Sequence, residues 1–414
     1  MKRSVCVVGG GASGMMAAIA AGRCGAKVTL LEHRDRIGRK ILLTGNGKCN
    51  LTNLQMDPSA YEEKEEDSLP AKVLAQFDQT ALMTLFESMG MRLMVNRESY
   101  VYPETESAAT VVNVLRRALE QNDVICKTGV TIHEIKKEKQ FCIHTDQGIV
   151  HADCVILACG GKSYPKTGSD GSGYRLAKEL GIKVNRDYPA LTSLICRREG
   201  LKTVAGLRQN GKVTLYIDDR PVTSDIGQIQ FTDYGISGIP VFQVSTQASM
   251  ALSEHRQVAA RISLFPDMTS AQVMSMLQKQ CAQFGDCSFE ETMNGILHKK
   301  WIDYFGKYDG LCRFTHTAQI PDALLWKLAE ECTSMLFPVE QVKGYDFCQV
   351  TGGGVAREEV DEHLASLKIP GLYIVGEMLD VVGKCGGYNL QWAFSTGYIA
   401  GCHAAGSKKD VSRL

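Results

Sequence analysis

The chain opens on an unbroken apolar run, Val5 to Val8, with none of the alternation of a half-exposed strand. That pattern predicts a strand buried on both faces. Glycines follow at once. Met15 to Gly25, rich in Ala and Met, then reads as a helix packed close to a sheet. Residues 27–32, KVTLLE, supply a second strand, so the chain begins as a β-α-β unit. Residues 55–70 turn acidic between prolines and are expected to form a surface excursion. Helical apolar spacing returns over 71–90 and 107–121. Residues 124–150 alternate and break like a small antiparallel meander, and Val155 to Ala158 is again a buried strand running into glycines. From about Pro189 the texture changes. Residues 191–265 carry short apolar segments broken by Gly, Asp and Pro and are expected to be β-rich; 270–337 are expected to be helical. After residue 345 the buried strand with glycines reappears. These shifts predict a discontinuous α/β nucleotide-binding domain, 1–190 plus 345–414, with an insertion at 191–344.

The candidate chemistry lies at the two ends. Gly9, Gly11 and Gly14 spell G-x-G-x-x-G between a strand and a helix, with Ala12 and Ser13 in the helix start. The first glycine permits the turn, the second lets backbone approach a pyrophosphate, and the third lets helix and strand pack closely. Glu32 closes the second strand, where a carboxylate accepts hydrogen bonds from adenosine ribose hydroxyls and repels a 2′-phosphate. His33, Arg39 and Lys40 follow, then a compact polar loop holding Gly45, Cys49 and Asn50. Val130 is expected to present its backbone to adenine. Cys159, Gly160 and Gly161 end a strand in small residues that leave room for a ligand. Near the other end, Gly376, Glu377 and Asp380 follow a second buried strand, with Asp380 a candidate for a ribityl hydroxyl. Gly387, Tyr388, Asn389, Leu390 and Gln391 begin a small-residue helix whose first N–H groups suit the flavin pyrimidine edge. A nicotinamide dehydrogenase needs the first glycine cluster alone. A flavin adenine dinucleotide is longer and needs both, so FAD is the expected cofactor.

Charge and cysteine content narrow the picture. Lys+Arg and Asp+Glu are both 46, giving a formal net charge of zero and no bulk field for nucleic acid. No nucleic-acid partner is therefore expected. No apolar run reaches the roughly 18–20 residues of a membrane span. The apolar segment after Lys2 and Arg3 is broken by glycines and reads as a first strand, not a targeting segment. Fifteen dispersed cysteines, without a C-x-x-C, favour a reducing cytoplasm. The nine histidines show no metal-ligand spacing, so no metal is expected.

The stretches GGGASG, GRKILLTGNGKCNLTN, VTGGGV at 350–355 and PGLYIVGEMLDVVGKCGGYNLQWAFSTGYIAG, in that order, resemble the BaiN/YhiN-like family of FAD-dependent oxidoreductases. FTDYGISGIP at 231–240 is similar to that family's F-T-H-x-G-x-S-G-P, with Asp233 in place of His and Ile239 inserted before Pro240. Lys48 stands where the family often has Arg. The resemblance implies a Rossmann-like FAD-binding domain of the glutathione-reductase type, with a β-rich plus helical insert covering the flavin. It also implies a small-molecule substrate, members having been linked to steroid enone reduction and to aminoacetone oxidation. Three readings stand at this stage. One is an NAD(P)H-linked reductase of an activated C=C bond, with the nicotinamide bound transiently because no second fingerprint is present. The second is an amine or alcohol oxidase, and the third a non-catalytic flavin-binding sensor or RNA-associated protein. For the proton that enone reduction requires, the candidates are Cys49, Lys384 and Tyr388.

Overall fold

A computed structural model describes residues 2–61 and 67–407. Part of the acidic stretch expected to loop out therefore lies outside the described residues. The chain divides into two units, Met1–Tyr188 with Gln349–Leu414, and Pro189–Cys348.

The first unit is built on a five-stranded parallel sheet. Its order is Leu372–Ile374, Cys154–Leu157, Ser4–Val8, Lys27–Glu32 and Ile125–Thr128. The central strand pairs Val7 with Ile156 on one side and Leu30 on the other. Val5 to Val8 are all buried, so both faces of this strand are covered, which is why its sequence shows no polar face. Helix Ala12–Arg23 follows and is buried from Ser13 to Ala21. The final helix, Tyr388–Ala404, is buried almost end to end. These two buried helices pack on each other through small residues. A Cβ on Gly397 would stand 2.3 Å from the Ser13 carbonyl oxygen, and one on Gly401 2.3 Å from that of Ala17. The two ends of the chain are thereby joined across the sheet.

The expected meander over 124–150 is corrected in part. Ile125–Thr128 pairs in parallel with Lys27–Glu32 as the edge of the main sheet. The antiparallel meander is Ile132–Lys137, Phe141–Thr145 and Gly148–Ala152. All four residues of Ile125–Thr128 are exposed, so local composition cannot distinguish this edge strand from a hairpin.

The second unit is a closed six-stranded antiparallel barrel. Its order is Leu194–Cys196, Gly235–Ser237, Arg220–Phe231, Arg208–Ile217, Val258–Ser263 and Met335–Val342. Closure leaves no free sheet edge. Arg208–Ile217 alternates buried and half-exposed positions, placing Val213, Leu215 and Ile217 in a core shared with Phe231, Phe337 and Trp301. Two features depart from the expected β-then-helix order. Ile239–Ser253 is a helix inside the β-rich stretch, begun by Pro240 in its first turn, where a missing N–H costs nothing. Met335–Val342, at the end of the helical stretch, is the strand that closes the barrel.

Candidate cofactor site

The glycine turn divides its labour among its three members. Gly9 has φ +107°, and a Cβ there would lie 2.4 Å from the Ala158 carbonyl oxygen. A Cβ on Gly14 would lie 1.9 Å from the Gly9 carbonyl oxygen. Packing within the protein therefore demands glycine at both places. A Cβ on Gly11 would meet no atom within 4 Å. Nothing among the described residues fills that space, and beside it the helix Ala12–Arg23 starts with no side-chain cap. Its first N–H groups are left for an outside acceptor.

The end of the second strand forms one wall. Glu32 Oε2 accepts from the Gly10 N–H at 2.7 Å, and Oε1 from the Arg34 N–H at 2.8 Å. His33 Nδ1 stands 3.2 Å from Oε1. Burial pushes the Glu32 carboxyl up, but the hydrogen bonds from His33, Arg34 and Gly10 outweigh it and hold it below the ordinary range. His33 is held above its ordinary value, chiefly by its hydrogen bond to Glu32, against burial. Its Nε2 is buried without a hydrogen-bond partner, 3.7 Å from Asp170. The Val130 N–H donates to the Glu32 carbonyl at 3.0 Å, and Arg34 Nη2 to the Pro165 carbonyl at 3.0 Å. Cys159 packs here too, its Sγ 3.6 Å from the Val8 carbonyl oxygen, and burial pushes its thiol up to about 12. Gly160, at φ +73°, brings backbone close to Ser169.

A second cluster joins three distant segments. Lys40 Nζ pairs with Glu377 Oε2 at 2.6 Å and also donates to Ser163 Oγ. Ser163 Oγ donates to Glu377 Oε1 at 2.8 Å, and the Thr351 N–H donates to the same oxygen at 3.0 Å. Thr351 Oγ1 accepts from the N–H groups of Lys162 and Ser163. A Cβ on Gly161 would collide with Thr351 Oγ1 at 2.4 Å. Lys40 and Glu377, singled out separately in the sequence, are thus partners. Ser163 and Thr351 were missed. Their only signal is a hydroxyl beside glycines at the end of a buried strand, as in VTGGGV. Asp380 has both oxygens engaged, by the Gly353 N–H and by Asn185 Nδ2, each at 2.9 Å. Arg39 stands apart from the cluster, paired with Asp35 at the surface.

The C-terminal glycines meet the first helix and the polar loop. A Cβ on Gly376, φ +65°, would lie 2.6 Å from Ser13 Oγ. One on Gly387, φ +96°, would lie 2.5 Å from the Thr52 backbone. The Asn50 amide bridges the Thr52 carbonyl at 2.9 Å and the Gly387 N–H at 3.2 Å. Gln391 is buried and accepts from Thr52 Oγ1 at 2.6 Å. Asn389 is tied to both backbone groups of Gly383, and Leu390 packs on the core. Gly45, φ +56°, sits against the Asn50 N–H. Of the three proton-donor candidates, Cys49 is fully buried, its thiol pushed up to about 12 by burial. Lys384 is exposed. Tyr388 is half-buried, donates to the Gln55 carbonyl at 3.1 Å, and is held above its ordinary value by burial.

The family described as HI0933-like protein Rossmann domain matches residues 3–403. The chain belongs to this family. It is an FAD-dependent oxidoreductase, as its sequence led us to expect. It is 39% identical to the 3-dehydro-bile acid delta(4,6)-reductase of Clostridium scindens, over 96% of this chain and 98% of that one. It is 28% identical to the ribosomal RNA dihydrouridine synthase of Escherichia coli, over 95% of each chain. The Haemophilus influenzae protein of the same name is 25% identical, over 95% of this chain and 96% of that one. A solved 3-ketosteroid delta1-dehydrogenase from Sterolibacterium denitrificans shares the fold, with a TM-score of 0.51 at 14% identity over 98% of this chain and 100% of that one. Among the described residues no group of three or more His, Cys, Asp or Glu side chains is placed to hold a metal ion. No helix among them is long and apolar enough to cross a membrane.

Proposed function

We propose that this enzyme reduces a carbon–carbon double bond conjugated to a ketone on an apolar small molecule, with a reduced nicotinamide nucleotide as transient electron donor. The observation that carries this reading is the 39% identity, end to end, to a bile acid delta(4,6)-reductase. When bound, FAD supplies the hydride-transfer chemistry, and the protein supplies orientation and electrostatics.

The residues fit that cofactor. The open space at Gly11, with the uncapped helix start at Ala12 and Ser13, suits a pyrophosphate. Glu32 keeps its charge and has lone pairs left for ribose hydroxyls, and the buried Nε2 of His33 lies beside it without a hydrogen-bond partner. Lys40 brings a cation between Ser163 and Glu377. The Gly387–Gln391 helix start offers further N–H groups close to the Asn50 loop. For the proton, Tyr388 suits the task best. Its hydroxyl keeps its proton at neutral pH and is half-buried, whereas Cys49 is sealed in the core.

Anaerobic stopped-flow mixing tests the reading. NADH or NADPH should bleach the flavin band near about 450 nm, and a 3-oxo-4-ene steroid should restore it. A flavin reduced by neither nucleotide, or restored by oxygen but not by the enone, would refute the proposal.

The two relatives named ribosomal RNA dihydrouridine synthases favour a second reading, since the 5,6-bond of uridine is also conjugated to a carbonyl. We place the small molecule first. Identity falls from 39% to 28% and 25%, and a chain with 46 charges of each sign has no bulk field for a phosphate backbone. An unmodified ribosomal RNA transcript that restores the flavin band when the steroid does not would reverse this order.

A further inference from the structure

The barrel unit holds a cation that pairs with no carboxylate among the described residues. Lys343 directly follows the last barrel strand, Met335–Val342. Its Nζ stands 4.0 Å from the centre of the Tyr234 ring and 4.9 Å from that of Phe347. The root of this side chain is pinned. The Lys343 N–H donates to the Ser193 carbonyl at 2.9 Å, and its carbonyl accepts from Thr192 Oγ1 at 3.0 Å. Thr192 and Ser193 are themselves held by Ser245 and Ser237 through buried hydroxyl hydrogen bonds. The ammonium is therefore presented from a fixed base, framed by two aromatic rings, and Phe347 is 61% exposed. A single exposed aromatic is ordinary. An unpaired cation lodged over two rings on a rigid base is a recognition arrangement, in which an anion meets the ammonium and an apolar body lies along the rings.

We propose that Tyr234, Lys343 and Phe347 bind the carboxylate-bearing end of an apolar, ring-containing small molecule. Asp233 and Asp346, both exposed, adjoin Tyr234 and Phe347 in the chain, and neither pairs with Lys343. One carboxylate needs one cation and tolerates these neighbours. A polyphosphate backbone needs several cations and would be repelled by them. The choice of a steroid carboxylate as the ligand rests on the enone-reductase reading; the site itself does not.

The test is calorimetric titration of the FAD-loaded full chain with cholate, a saturated steroid carboxylate that cannot be reduced, and with its methyl ester. Wild type should bind the acid about tenfold tighter than the ester, a preference typical of one charged contact. K343Q should bring the ratio of the two dissociation constants close to one, while K343R should retain the preference. F347A should weaken both ligands alike. Equal binding of acid and ester by wild type, or an unchanged ratio in K343Q, would overturn the site. So would a short single-stranded RNA that binds through Lys343 when cholate does not. Because cholate does not turn over, failure of the enone to react would count against the proposed function and leave this result standing.

Discussion

At the scale of the residue, the three fingerprint glycines have separable reasons to be glycine. Gly14→Ala would drive a methyl group into the Gly9 carbonyl, where a Cβ has only 1.9 Å. It should destabilise the fold, seen as a lowered melting temperature of the apoprotein. Gly11→Val points into space that no atom of the described residues occupies. It should leave the apoprotein melting temperature close to wild type and abolish FAD retention, measured as the ratio of flavin absorbance to protein. A variant that purifies fully loaded would remove the fingerprint from the site. Glu32→Ala should weaken FAD by about 1–3 kcal/mol, the scale of a lost charged hydrogen bond. An unchanged dissociation constant would refute that role. His33 gives the pH dependence. Its pKa is raised in the fold, so its contribution to stability is complete below its ordinary value and fades as pH rises through the folded one. His33→Asn should therefore lower the melting temperature at pH values below about 6.5 and make little difference well above it. The opposite order would contradict the Glu32–His33 assignment. Glu32, with its lowered pKa, behaves in mirror fashion. Its contribution is present at neutral pH and is lost only as acid carries the solution through the folded value.

At the scale of the element, two deeply buried helices and one ion pair hold the site's walls together. The helices Ala12–Arg23 and Tyr388–Ala404 approach so closely that Gly397 and Gly401 have no room for a Cβ. Gly401→Val should cost at least about 1–3 kcal/mol, the usual penalty for overpacking a core, measured by urea unfolding. Lys40 and Glu377 are about a fifth exposed, at 22% and 19%. Removing one leaves the other charge poorly solvated. Glu377→Ala should cost about 1–3 kcal/mol, reduced from the roughly 3–5 of a fully buried pair, and a K40M/E377L double variant should recover much of it. A double-variant loss equal to the sum of the K40M and E377L single losses would show that the pair adds no coupling. These elements were legible in different degrees. Strands such as Val5–Val8 and Cys154–Leu157 announce themselves because burial on both faces leaves no polar position. Ile125–Thr128 did not, because its sheet neighbour lies far off in sequence and its own four residues face solvent. Helix Ile239–Ser253, written with Ile, Val, Phe and Thr, carries strand-like composition, and Gly238 with Pro240 was the local cue to its start.

At the scale of the whole molecule, the two units differ in how they are written along the chain. Pro189–Cys348 is one continuous segment with a closed barrel and its own aromatic core. We expect a 189–348 fragment to fold alone, with a cooperative melt and β-rich circular dichroism. A 1–188 fragment should not. It lacks the strand Leu372–Ile374, which leaves Cys154–Leu157 as an open edge, and it lacks the helix that packs on Ala12–Arg23. A cooperative melt of 1–188 by itself would contradict this. Periodicity and glycine placement along the chain were enough to determine the β-α-β start and the return of the same style after residue 345, and to suggest the pairing of two glycine clusters for one long cofactor. Each of these rests on local sterics or on burial that repeats every few residues. The Lys40–Ser163–Glu377 cluster, the lodging of Lys343 over Tyr234 and Phe347, and the strand that closes the barrel were decided only by the tertiary structure. Each joins groups that are distant along the chain, and a contact of that kind leaves no periodic trace in sequence. It exists only once the core has packed and fixed which polar groups are left facing one another.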